Sequence, residues 1–191
     1  MGKMRYEKGN LKYNNLLYLL LAIFSTTSIG VVAQTLANPI IKDYGTIYGI
    51  KNSLQPDKNK EYKIVIDLKA SNDNFDLPNK GLVNVARMLN LYGAGGLSQE
   101  NLRVAVAVHY TATPIILNNV GYQKKYGVNN PNLKLIKQLK AAGVEMYVCG
   151  QSLVARKYAF EDVNPQVITA LSMLTVVTEH TMEGYSLLVF Q

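Results

Sequence analysis

The stretch Leu102-Arg103-Val104-Ala105-Val106-Ala107-Val108-His109 decides the fold. Side chains alternate along an extended chain, so Val104, Val106 and Val108 fall on one side of it and Ala105 and Ala107 on the other. A strand that is apolar on both sides must be covered on both sides, which is the condition of a central strand in a parallel sheet. Upstream, Tyr62-Lys63-Ile64-Val65-Ile66-Asp67-Leu68 is a β-branched run of strand length. Leu82, Val85, Ala86 and Leu89 then recur at helical spacing until Gly93, Gly95 and Gly96 stop the helix. Downstream, Asn130-Pro131 predicts the cap and first residue of a helix whose buried stripe is Leu135, Ile136 and Leu139, and which Gly143 ends. Lys134, Lys137 and Lys140 form its solvated side. Val144-Glu145-Met146-Tyr147-Val148 predicts the next strand. Asn164-Pro165 repeats the cap-and-proline start, which predicts one long helix to about Met182, and residues 185–190 predict a last strand. Strands alternating with helices predict a three-layer α/β domain with a mainly parallel sheet and right-handed crossovers.

Of the 191 residues, 48% are hydrophobic and 17% charged, the composition of a globular chain rather than a disordered or collagenous one. The net charge of +7 is unevenly placed. Lys3, Arg5, Lys8 and Lys12 stand against Glu7, and no charged residue follows from Tyr13 to Ile41. A basic start, an apolar stretch over residues 16–33 and the small closing residues Val31-Val32-Ala33 predict a signal peptide over residues 1–33, cut after Ala33. The alternative is a retained N-terminal anchor, since those 18 apolar-rich residues fall within the roughly 17–25 that cross a bilayer core. Cleavage would take away four cations and one carboxylate and leave a net charge of +4. The remaining Lys and Arg form no run, so nucleic acid is not an expected partner. Residues 34–61 read as a lead-in arm with a short extended piece near residues 46–50, and residues 62–191 as the folded domain. The address is periplasmic or secreted.

One Cys and two His exclude a disulfide framework and a Cys-rich zinc site, so no metal is expected. Gly93-Ala94-Gly95-Gly96 follows a helix rather than a strand and so lacks the setting of a dinucleotide or phosphate loop; no cofactor is expected. None of Ser71, Ser98, Ser152 or Ser172 stands in a nucleophile-elbow motif. In a parallel sheet the ligand site lies beyond the carboxyl ends of the strands. That edge brings together residues 67–74, residues 109–113 and Cys149 with Gly150-Gln151-Ser152. Cys149 ends a strand, and the turn after it aims N–H groups at the sulfur from the start of the next helix, a setting that favours thiolate. His109 is the candidate proton acceptor beside it. Arg156 is a candidate anion holder, and Asn130, Gly150, Gln151 and Ser152 complete the candidate binding residues. The predicted helix over residues 167–177 is apolar nearly all round. A chain with one sheet covers only one of its sides, so a second copy of the chain is expected on the other.

Several motifs together resemble the DsrE/DsrF-like family of sulfur-relay proteins: Leu89-Asn90-Leu91-Tyr92, the strand ending at His109, Asn129-Asn130-Pro131-Asn132-Leu133, Val148-Cys149-Gly150-Gln151-Ser152, and Ala170-Leu171-Ser172-Met173 with Gly184-Tyr185. The resemblance covers roughly residues 62–191 and is nearest to the exported members. It implies a DsrE-like fold related in layout to flavodoxin, and homotrimers or homohexamers. It also implies that Cys149 accepts sulfur as a persulfide and passes it on, as a carrier or transferase between donor and acceptor proteins. The rival reading is a non-catalytic oligomeric module that binds a small ligand or partner while Cys149 only packs. The sequence departs from the family pattern at Tyr110 and Lys157, where glycine is usual.

Overall fold

The computed structural model describes residues 1–2 and 35–190; the segment read as a signal peptide or anchor lies almost wholly outside the described residues. Strands β1 (Leu36–Ala37) and β2 (Ile47–Tyr48) pair antiparallel within the arm. The domain then runs β3 (Tyr62–Leu68), α1 (Lys80–Ala94), β4 (Leu102–Val108), a 3-10 segment (Tyr110–Ile116), α2 (Asn119–Tyr126), α3 (Leu133–Ala141), β5 (Glu145–Cys149), α4 (Gly150–Ala155), β6 (Ile168–Ala170), α5 (Met173–Met182) and β7 (Ser186–Phe190). Five strands form one parallel sheet in the order β6-β5-β4-β3-β7. Among the described residues no helix is long and apolar enough to cross a membrane.

The valine side of β4 does what its alternation requires. Val104, Val106 and Val108 join Ile64, Ile66 and Leu68 of β3 and Met146 and Val148 of β5 in one buried cluster with Leu82, Val85 and Leu89 of α1 and Leu135, Ile136 and Leu139 of α3. The alanine side is different in kind. Ala105, Ala107 and Val65 are buried beneath α5, which packs over β3, β4 and β5 and buries Val176. Small side chains in the central strand let one helix approach the sheet closely there. The three layers are therefore unequal: the main core is on one face, and a thin cover on the other.

Two expectations fail, for stated reasons. The long helix from Asn164-Pro165 does not exist. Asn164 Oδ1 accepts from the Gln166 N–H at 2.9 Å, a turn rather than a helix cap, and the β-branched Ile168 and Thr169 then form β6 beside β5. The helix starts later, at Ser172, whose hydroxyl accepts from the Leu174 N–H at 3.2 Å. Likewise Asn130-Pro131 does not open α3. Asn130 is a buried bracket whose Nδ2 donates to the carbonyls of Ile115 and Leu117, and whose Oδ1 accepts from Asn132. Asn132 in turn accepts from the Asn79 N–H at 2.7 Å, and Asn79 caps α1. This chain of asparagines ties the loops after β3 and β4 to the start of α3.

Candidate active site at the carboxyl edge of the sheet

Cys149 is the last residue of β5 and shares a parity of alternation with Tyr147, so it faces α5. It is paired with Ala170 of β6, and Gly150 follows it directly into α4. The turn is tight: a Cβ added at Gly150 would lie 2.9 Å from the Ala170 carbonyl oxygen, so the strand-to-helix step beside β6 requires glycine. Two helix starts then converge on the sulfur, those of α4 and α5. Burial pushes the thiol pKa up, but the Ser152 hydroxyl, the backbone N–H groups of Met173 and Ser152, and the Ser172 hydroxyl all donate to the thiolate, and together they bring it below its ordinary value. The Ser172 Oγ is 3.9 Å from Sγ. The thiol is 4% exposed, one layer beneath the surface.

An open depression of about 490 Å³ shares Ser152 with the thiol site and is lined by Tyr110, Gln151, Ser152, Ala155 and Arg156. Its lining carries one formal charge, the Arg156 guanidinium, which stands 4.9 Å over the Tyr110 ring. The Tyr110 N–H donates to the Ser152 hydroxyl at 3.2 Å, so the rim is joined to a thiol partner. Gln151 Nε2 donates to the Leu171 carbonyl at 3.4 Å, across to the segment that leads into α5.

Tyr110 and Lys157 adopt φ of 51° and 58°, in the left-handed region where glycine is at ease. These are the two positions at which the resemblance to the family implied glycine. The backbone thus keeps the glycine conformation while the side chains pay for it. Lys157 sits past the end of α4, where a left-handed residue closes the helix, and its Nζ forms no ion pair among the described residues. Lys157→Gly is expected to raise stability by about 0.5–1 kcal/mol, the left-handed penalty of roughly 1–2 kcal/mol less the entropy glycine loses on folding. Urea unfolding at fixed pH checks this, and a midpoint lower than wild type would contradict it.

His109 does not hydrogen-bond Cys149. Its Nε2 lies 2.6 Å from Asp67 Oδ1 of β3, with both side chains largely buried. Asp67 was within reach of sequence reasoning as a strand-end residue, but its pairing with His109 depends on β3 and β4 being neighbours. Ser172 was read as the interior of a helix and so passed over as a thiol partner. Asn130, counted among the binding candidates, spends its side chain on the loop bracket and is not part of this cluster. Among the described residues no group of three or more His, Cys, Asp or Glu side chains is placed to hold a metal ion.

A five-stranded parallel sheet whose one cysteine closes a strand at the convergence of two helix starts defines a thiol site on an α/β domain. The family model for the DsrE/DsrF-like family matches residues 63–190, more than half of the chain, and the chain belongs to that family. A solved protein of unknown function from Methanobacterium thermoautotrophicum is similar in structure, with a TM-score of 0.51 at 16% sequence identity, covering 68% of this chain and all of that one. At that identity the likeness speaks for the fold alone. No curated protein sequence matches.

Proposed function

We propose that the protein is an extracytoplasmic carrier of sulfane sulfur, holding it as a persulfide on Cys149. The observation that carries this reading is the convergence of hydroxyl and N–H donors of α4 and α5 on a thiol whose pKa they lower. The transfer balances without an external oxidant. The Cys149 thiolate attacks the outer sulfur of a donor persulfide, the new S–S bond forms as the donor's S–S bond breaks, and the donor leaves as a thiolate that takes up a proton. An acceptor thiolate reverses the exchange. Arg156 over the depression favours a donor with negative charge, such as a hydropersulfide or polysulfide anion. The family match supports a sulfur-relay role.

The burial of the thiol favours a second reading, an oligomeric binding module in which Cys149 only packs. Alkylation of the folded protein separates the two. Fast reaction near neutrality, persisting below the ordinary thiol range, supports the carrier; protection until unfolding supports the module.

The export part of the proposal rests on the basic start and the charge-free stretch that follows it. Intact-mass analysis of the protein recovered from an exporting host is expected to show a chain beginning at Gln34, and an uncleaved chain in the membrane fraction would favour the anchor instead.

Self-assembly has a different basis from the one the sequence suggested. The apolar run is not one sandwiched helix; it is β6 and a short α5 whose outer sides are bare. Leu171, Leu174 and Met182 are 72%, 69% and 79% exposed, and Ile168, Leu187 and Val189 also face solvent nearby. An apolar surface spread over β6, α5 and the edge strand β7 is of the kind that soluble monomers cover. Light scattering of the mature protein is expected to give a trimer or hexamer, and a monomer at micromolar concentration would refute it.

A further inference from the structure

We infer that Asp67 is a positioning residue that holds the His109 imidazole as the proton acceptor of the Cys149 site. The inference rests on the thiol being chemically active, as the carrier reading requires. Asp67 is flanked in β3 by the fully buried Ile66 and Leu68, and its neighbours in the sheet are Ala107 of β4 and Val189 of β7. The fold asks only for an apolar residue on this face, as Val65 supplies two positions earlier. A carboxylate here costs free energy unless it is hydrogen-bonded. Its partner is His109 Nε2 at 2.6 Å.

The sheet register carries the geometry the rest of the way. Val108 of β4 pairs with Val148 of β5, and His109 continues the extended backbone with φ −154° and ψ −175°, its N–H still donating to the Leu68 carbonyl at 3.0 Å. His109 and Cys149 are therefore the next pair in the same row and on the same face, on strands about 4.8 Å apart. Asp67, His109 and Cys149 thus stand on three neighbouring strands at one edge. An ionised carboxylate only accepts, so it fixes the neutral ring with its proton on Nε2 and its lone pair on Nδ1. Nδ1 is the ring nitrogen nearer the backbone, and so nearer the row shared with Cys149, while Nε2 reaches over to β3.

In the inferred reaction the proton moves along this row. As the thiolate forms, the proton of Sγ passes to Nδ1, and the imidazolium gives it to the donor's departing thiolate when that S–S bond breaks. Cys149–SH and R–S–SH become Cys149–S–SH and R–SH, with no net oxidation. Asp67 keeps its hydrogen bond to Nε2 and so stabilises the imidazolium.

The second histidine is an internal reference. His180 Nδ1 lies 2.7 Å from the Val176 carbonyl, which only accepts, so its neutral ring carries the proton on Nδ1. Long-range proton–nitrogen correlation spectra of ¹⁵N-labelled protein, at a pH where both rings are neutral, are expected to show opposite tautomers for His109 and His180. Asp67→Asn is expected to mix the His109 tautomers, leave those of His180 unchanged, and slow alkylation of Cys149 by iodoacetamide by about tenfold. That is less than the roughly 10²–10⁴-fold of a full general base, because the helix starts already favour the thiolate. Should Asp67→Asn fail to fold, the wild-type tautomer and the alkylation rate of His109→Gln decide. An Nδ1-protonated His109 in the wild type overturns the inference, as does an Asp67→Asn protein with unchanged tautomer and rate. A thiol closed to the reagent until unfolding overturns it together with the carrier reading. Iodoacetamide carries no sulfane sulfur, so a wild type with the expected tautomers and Asp67-dependent alkylation that takes up no sulfur from polysulfide upholds the inference and removes only the carrier reading.

Discussion

Cys149→Ser is expected to abolish persulfide loading from a polysulfide donor while leaving the fold in place. The chain has one cysteine, so no other thiol can substitute. Serine is nearly the same size, and its hydroxyl inherits the partners that surround the sulfur, the hydroxyls of Ser152 and Ser172 and the N–H groups of α4 and α5. Near neutral pH the stability change is expected to stay within about 1 kcal/mol. The pH dependence has a definite sign. A thiol whose folded pKa is lowered contributes stability above the ordinary thiol range, and that contribution is lost as the pH falls through the folded value. The wild type is thus expected to gain on Cys149→Ser as the pH rises from the lowered folded value to the ordinary thiol value, and to gain no more above it. Cyanolysis-detectable sulfur on Cys149→Ser, or a stability gap that shrinks with rising pH, would contradict this account. Arg156 acts on the same reaction from the rim, through the charge of the donor rather than through the sulfur.

The residues that made the fold legible are those whose pattern has a period. The valine–alanine alternation of β4 specified a strand covered on both faces, and the structure shows that the small Ala105 and Ala107 lie beneath a close-packed helix. What could not be read was the division of an apolar run. Val167, Ile168 and Thr169 suit a strand, yet a short apolar run carries no period by which to tell strand from helix, and Ser172 looks like an interior polar residue until the helix is known to begin there. Helix α2 was missed because it is almost wholly polar and buries only Gly121 and Tyr122. The site followed the same rule. Cys149 was legible from its place at a strand end, whereas Ser172 and the Asp67–His109 contact depend on which strands are neighbours. Tyr110 and Lys157 were visible as departures from a glycine pattern, and the positive φ at both shows that the departure lies in the side chain and not in the backbone path.

Asn90→Ala is expected to release the arm of residues 34–61 and to cost about 3–5 kcal/mol. Asn90 lies on α1 with no exposed surface, and its side chain is spent entirely on the arm. Oδ1 accepts from the N–H groups of Ile40 and Ile41 at 2.9 and 2.8 Å. Nδ2 is shared among the carbonyls of Ile41, Tyr44 and Gly45 at 3.0–3.2 Å. Asn38 Nδ2 also donates to the Ile41 and Tyr44 carbonyls, so truncation orphans chiefly the two N–H groups and the Gly45 carbonyl. Each buried group left without a partner costs about 1–3 kcal/mol. The arm avoids that cost by lifting into water, but it then exposes Ile41 and Ile47, which are 1% and 4% exposed in place and each contribute about 1.5–3 kcal/mol by their burial. The two routes cost similar amounts, so the variant is expected to fall in stability and also to open locally. Asn90→Asp should do no better, because it keeps the acceptor, loses both donors and buries a charge. Urea unfolding gives the global loss, and trypsin cleavage at Lys42 and Lys51 reports the opening, faster in the variant under conditions where the wild type is intact. A variant within about 1 kcal/mol of wild type whose arm resists trypsin equally would show that the arm is held by its apolar contacts and not by Asn90.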